Sequence, residues 1–172
     1  MTRRLVAPMA LFALLFALVA GSAQGVAAAT NYTCPGKVCT FAVPDSYTEI
    51  SKGDMSITLQ DQSTGGVFGL VLIATPSGVS LNDLVVASVD EFALRTAFQA
   101  SDRGIEDESV NGLRGKSFTF TSNNSSGTTV LTTVYFFVNG DVFYTLFFAA
   151  TPDTAKAFNG GAVEILSSFQ FA

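Results

Sequence analysis

The sequence contains no histidine. Its absence excludes Ser-His-Asp and Cys-His nucleophile systems and histidine-ligated zinc. The chain has two cysteines, too few to complete a structural zinc site by themselves. It also lacks Ser-x-x-Lys and Gly-x-Ser-x-Gly. Gly115-Lys116-Ser117 has the look of the end of a phosphate-binding loop. That motif needs a glycine where Val110 stands and a helix afterwards, whereas Phe118-Thr119-Phe120 reads as strand. No enzymatic activity and no cofactor are expected.

Basic residues are scarce, with 9 Lys and Arg against 14 Asp and Glu. No basic patch stands out, so nucleic acid is not an expected partner. Long apolar runs are also few. The first, Leu5 to Ala20, follows Arg3 and Arg4 and precedes small residues, with Ala27-Ala28-Ala29 offering a cleavage site. That succession predicts a signal peptide over 1–29 and a secreted or periplasmic mature protein. No transmembrane segment is expected after cleavage, because Asn139-Gly140-Asp141 interrupts the best remaining run.

What is present is mostly strand. Val130 to Ala150, VLTTVYFFVNGDVFYTLFFAA, reads as a hairpin with its two-residue turn at Asn139-Gly140. The predicted register sets Val138 against Asp141, Phe136 against Phe143 and Tyr135 against Tyr144. One face would carry Leu131, Tyr135, Phe137, Val142, Tyr144, Leu146 and Phe148. The other would carry Val134, Phe136, Val138, Phe143, Phe147 and Ala149. Both faces are apolar, so the hairpin is expected at the centre of a sheet covered on both sides.

Residues 30–40 form a lead-in in which Cys34 and Cys39 flank Pro35-Gly36, the favoured centre of a type II turn. A local Cys34–Cys39 disulfide is predicted for an exported chain. Phe41 to Pro44 reads as a short strand and Asp45 to Gly53 as loop. Met55 to Leu59 alternates at period two, and Val67 to Ala74 is continuously apolar, as a strand covered on both faces is. Ser80 is placed to cap a helix, with Asp83 three residues on. Leu81, Leu84, Val85, Val89 and Phe92 fall on one helical face, and Glu91 and Arg95 are spaced to pair. The helix is expected to fade over 98–102. Ile105 to Val110 and Leu113 to Thr121 read as strands about Asn111-Gly112. Thr151-Pro152 opens a second helix, which Gly160-Gly161 should kink or split.

Two helices among strands with short connections predict an α+β domain over 41–172. The expected form is an α-β-α sandwich around a central antiparallel sheet of about six strands. Asp102, Glu106, Asp107 and Glu108 form the dense acidic group. They read as a solvated strand edge, or, more sharply, as oxygen ligands of a weak calcium or manganese site. The polar loop Ser122, Asn123, Asn124, Ser125, Ser126, Gly127 and Thr128 is expected to be flexible and is a candidate contact surface. Asn31-Tyr32-Thr33 and Asn124-Ser125-Ser126 match the glycosylation pattern.

The order of several motifs resembles the PsbP-like superfamily. They are Phe41-x-Val43-Pro44, Ser80-Leu81, Val110-Asn111-Gly112-Leu113-x-Gly115, the aromatic hairpin, Ala150-Thr151-Pro152 and Ile165-Leu166-Ser167-Ser168-Phe169. The resemblance implies an α-β-α sandwich, and binding or assembly rather than catalysis. The metal-binding residues of plant PsbP proteins include histidines, which this chain lacks. Two function classes follow: a secreted accessory protein working through a protein partner, and a carrier of a small apolar ligand held between sheet and helices.

Overall fold

The computed structural model describes residues 30–95 and 97–172. The predicted leader 1–29 lies outside the described residues. So do Thr96 and the side chains of Arg95, Asp102 and Arg103, and with them the Glu91–Arg95 pair. The chain runs β1 (Thr30–Thr33), β2 (Cys39–Val43), β3 (Tyr47–Gly53), β4 (Ser56–Asp61), β5 (Val67–Ala74) and α1 (Leu81–Arg95). It continues β6 (Phe98–Val110), β7 (Leu113–Asn123), β8 (Thr129–Asn139), β9 (Val142–Ala150), α2 (Pro152–Ser168) and β10 (Gln170–Phe171).

Seven strands pair antiparallel in the order β3-β4-β5-β9-β8-β7-β6. The two strands without apolar–polar alternation, β5 and β9, lie side by side near its centre. Their hydrophobic runs demand cover on both faces, and the helices supply it from opposite sides. On one side Val85 and Phe92 of α1 join Val67, Val71, Phe118, Val134, Phe136, Phe143 and Phe147. On the other, Phe158, Ala162 and Ile165 of α2 join Leu59, Phe68, Leu70, Leu146 and Phe148. A second sheet, β1-β2-β10, completes the α2 side, bringing Phe41, Val43 and Phe169 into the same cluster.

The sheet is larger than the expected six strands. The added strand is β3, whose polar Thr48, Glu49, Ser51 and Lys52 read as loop. An edge strand is hydrogen-bonded on one side only and tolerates such residues. Residues 98–102 belong to β6, not to a fading helix. Phe98 is drawn into the sheet by Phe118 and Phe120, whose ring centroids lie 5.7 and 5.0 Å away.

The central hairpin turns at Gly140-Asp141, one residue later than predicted. Asn139 pairs with Val142, Val138 with Phe143 and Phe136 with Thr145. Gly140 alone takes a positive φ, 57°, at the first loop position, as a type II′ turn requires. Asn139 stays in the strand, and its side-chain amide donates to the Ala172 carbonyl at 2.7 Å. Each residue's partner moves by two along the opposite strand, so every side chain keeps its predicted face. The Asn111-Gly112 turn forms where expected, with φ of 49° and 83°.

Helix α1 starts as predicted: Ser80 Oγ accepts the Asp83 N–H at 3.2 Å and donates to the Asp83 carboxylate at 2.7 Å. Helix α2 runs unbroken through Gly160-Gly161. Gly161 is a close-approach position, since a Cβ there would stand 2.8 Å from Tyr47 Oη. The helix accepts the conformational cost of glycine and brings β3 against α2.

The predicted Cys34–Cys39 disulfide is present. Gly36 has φ 66° and ψ 4°, and Lys37 N–H reaches the Cys34 carbonyl at 2.9 Å, completing the type II turn. The lead-in 30–40 is no separate tail. It supplies β1 and the first residues of β2, and both cysteines are buried in the α2-side core.

Candidate functional site

The acidic group lies on β6, at one edge of the seven-stranded sheet. Strand alternation divides it. Glu106 is in register with Ser117, and Ser117 with Tyr135, which places Glu106 on the α2 side. Glu108 shares that side. Asp107 points to the other, where its carboxylate meets Lys116 Nζ at 2.7 Å. The hydrogen bond from Lys116, and then its charge, hold the Asp107 carboxyl below its ordinary value. Glu106, Asp107 and Glu108 therefore do not form one calcium or manganese ligand set, and the Asp102 side chain lies outside the described residues. Among the described residues no three His, Cys, Asp or Glu side chains are gathered to hold a metal ion.

Division of the acidic group creates a different feature. On the α1 side of β7 and β8, Phe118, Phe120, Val130 and Val134 are buried. On the α2 side the same strands present Thr119, Thr121, Leu131, Thr133 and Tyr135, all only half-buried. Helix α2 lies over the neighbouring β9, where Leu146, Phe148 and Ala150 are buried. Beside it, β6, β7 and β8 form a more open face bearing the half-buried Glu106, Glu108, Thr119, Thr133 and Tyr135, with Ser117 buried among them.

This face is internally braced. Ser117 Oγ donates to Glu108 Oε1 at 2.9 Å, and the Thr119 and Thr133 hydroxyls are 3.0 Å apart. The Tyr135 ring stands edge-on to Phe148 with centroids 5.8 Å apart. Burial, then Glu108 and Glu106, push the Tyr135 hydroxyl up, so it stays a protonated donor at neutral pH. The arrangement offers carboxylate acceptors, hydroxyl groups and an aromatic flank. It suits hydrogen bonding to a polar partner surface.

Sequence reading missed this face, because it treated both sides of the hairpin as apolar. The available signal was the alternation of Thr119, Thr121 and Thr133 with Phe118, Phe120 and Val134. The segment 122–128 differs from its expected form. Ser122 and Asn123 belong to β7, and the side chains of Ser122 and Asn124 are buried. Asn124 Oδ1 accepts from Ser126 N–H, Ser126 Oγ and Thr128 N–H at 3.1, 2.7 and 2.8 Å. The turn is therefore tied down by its own asparagine. Asn123, Ser125, Ser126, Gly127 and Thr128 remain as its exposed residues.

Between the sheet and its helices, phenylalanine rings lie on glycines. Gly69 faces Phe147 across β5 and β9, and Gly115 faces Phe137 across β7 and β8. A Cβ on Gly69 would stand 1.8 Å from Phe147 Cζ, and one on Gly115 2.3 Å from the Phe137 ring. Phe158 of α2 covers Gly66 in the same way, at 2.3 Å. Aromatic carbon thus occupies the space above these three glycines.

No protein-family model matches this chain, and no curated protein matches it. Solved structures do. Cyanobacterial PsbP (CyanoP) from Synechocystis sp. PCC 6803 is 16% identical, with 88% of this chain covering 98% of that one at a TM-score of 0.57. The Ran-binding protein Mog1p of Saccharomyces cerevisiae is 12% identical, with 84% of this chain covering 95% of that one at 0.57. A crystal structure from Bacteroides thetaiotaomicron is 12% identical and covers 83% of this chain at 0.61. This chain spans about half of the Bacteroides protein, 48%. The protein shares the PsbP-like fold with CyanoP and Mog1p, and at such identities the likeness is one of fold.

Proposed function

We propose that this protein is an exported binding or accessory protein that acts through a protein partner and catalyses no reaction. The reading is carried by the open face of β6, β7 and β8, which presents carboxylates, hydroxyls and Tyr135 beside a covered sheet. Recognition commonly falls on polar groups held by a rigid scaffold. The rings seated on Gly66, Gly69 and Gly115 weigh against a carrier of a small apolar ligand, which needs an open apolar cavity. The Ran-binding protein Mog1p lends the fold a precedent for protein binding. Export is supported by the leader-like residues 1–29 and by the disulfide, which belongs in an oxidising compartment.

The test is affinity capture from the native envelope fraction with the wild type and with Thr133→Arg. The substitution puts a long cation on the open face, at a half-buried site, and gives up the Thr119–Thr133 hydrogen bond, worth about 1 kcal/mol. A partner retained by the wild type and lost by Thr133→Arg, with the variant still folded under the capture conditions, supports the reading. Equal retention by both clears the open face of a role. Reproducible hydrolase or transferase turnover by the purified, metal-free protein would overturn the binding reading itself.

A further inference from the structure

The Cys34–Cys39 bridge sits beside β10, the shortest strand among the described residues. Only two residue pairs fasten β10 to β2, Gln170 to Thr40 and Phe171 to Cys39. Three other contacts help. The Val38 carbonyl accepts the Ala172 N–H at 2.9 Å and the Tyr144 hydroxyl at 2.8 Å. Asn139 holds the Ala172 carbonyl. Phe171 packs on Phe137, Tyr144 and Phe169, with ring centroids 5.4, 5.1 and 4.9 Å away.

Val38 is therefore a shared acceptor, and it lies inside the ring closed by the disulfide. The same ring contains Lys37 at φ 59°, the left-handed region that an L side chain enters only at a cost. With the bridge open, only the Cys34 N–H to Cys39 carbonyl hydrogen bond, 2.8 Å, and the turn at Pro35-Gly36 hold Lys37 there, and relaxation at Lys37 displaces Val38. Its two hydrogen bonds are lost together, and β10 with them. The backbone pairing of β5, β8 and β9 does not run through this ring, because each is paired on both sides by other strands of the seven-stranded sheet.

We propose that the Cys34–Cys39 disulfide is a redox latch that keeps β10 on β2. The reductant is a dithiol. One of its thiolates attacks Sγ of Cys34, the slightly less buried residue at 5% exposure against 1% for Cys39, and Cys39 leaves as the thiolate. The second thiol of the reductant then displaces Cys34 and closes its own disulfide. Two electrons and two protons pass to the protein. Release of β10 uncovers the backbone edge at Val38 and Thr40 and the rings of Phe137 and Tyr144.

The test is amide hydrogen exchange by NMR on the folded full chain, oxidised and in excess dithiothreitol. A Cys34→Ser/Cys39→Ser variant serves as a second form of the open state. The Gln170 and Ala172 amides, which face β2, should exchange about tenfold faster or more once the bridge is gone. Amides of β5 and β9 should keep their rates. Lys37→Gly removes the positive-φ cost and should shrink the difference between oxidised and reduced protein. Equal protection of Gln170 and Ala172 in both states would overturn the latch. So would equal acceleration of β5 and β9, which would make the bridge a support of the whole domain. A bridge that resists dithiothreitol in the folded protein would also overturn redox control. If the double variant does not fold, the reduced wild type carries the comparison.

Discussion

The pairing of Gly69 with Phe147 can be tested by a double-mutant cycle. Phe147 is almost fully buried, and its ring crosses from β9 to lie on Gly69 of β5. Truncation to alanine removes that ring from the α1-side core and should cost about 3–5 kcal/mol. Gly69→Ala does the opposite. Its Cβ would sit 1.8 Å from Phe147 Cζ, so the ring or the strand must move. Overpacking of this kind costs about 1–3 kcal/mol, or more where the backbone is held on both sides. Summed as independent effects, the two approach the whole stability of a small domain, about 5–15 kcal/mol. They should not be independent. With alanine at 147 the clash is gone, and the added methyl fills part of the space the ring left. Gly69→Ala in the Phe147→Ala background should then be neutral or mildly stabilising, a coupling of about 2–3 kcal/mol. Guanidinium denaturation of the four proteins measures it. Additivity within about 0.5 kcal/mol would refute the ring-on-glycine arrangement.

Two further outcomes follow from the same physical reasoning. The exported protein should begin near Thr30, read by N-terminal sequencing, and intact Met1 in the membrane fraction would contradict cleavage. Burial alone would raise Asp61, but hydrogen bonds from Thr64, Ser63 and Ser46 outweigh it and hold its carboxyl below the ordinary 3.8. A carboxyl lowered in the folded state contributes stability that is fully present above its unfolded value and is lost as pH falls through the folded one. Stability should therefore decline below pH 3.8, and Asp61→Asn should flatten that decline in denaturation midpoints measured across the acid range.

Elements set by local chemistry were legible in the sequence. The Ser80 cap and the helical face Leu81, Leu84, Val85, Val89 and Phe92 depend on residues within one segment. So do the type II turn at Pro35-Gly36 and the turn at Asn111-Gly112. The continuous apolar runs of β5 and β9 announced two-sided burial. What sequence reading missed was set by partners far along the chain. Asn139 is drawn out of its turn by Ala172, and Phe98 is made strand by Phe118 and Phe120. Gly161 stays helical because Tyr47 needs the space, and polar β3 is strand because β4 pairs with it. The open face was hidden for the same reason. Glu106, Ser117 and Tyr135 come together only when three strands are in register. The acidic group was visible as a run, but its division between two faces follows from β6 being a strand.

The measurement that bears most directly on the binding account is site-specific photo-cross-linking in the native envelope. A photoreactive residue is placed at Thr119 or Thr133 on the open face. It is placed in parallel at Asp83 or Asp90, exposed on the outer side of α1. The account predicts a discrete protein adduct from positions 119 and 133 and none from 83 and 90. Adducts from the α1 positions, with none from the open face, would contradict it.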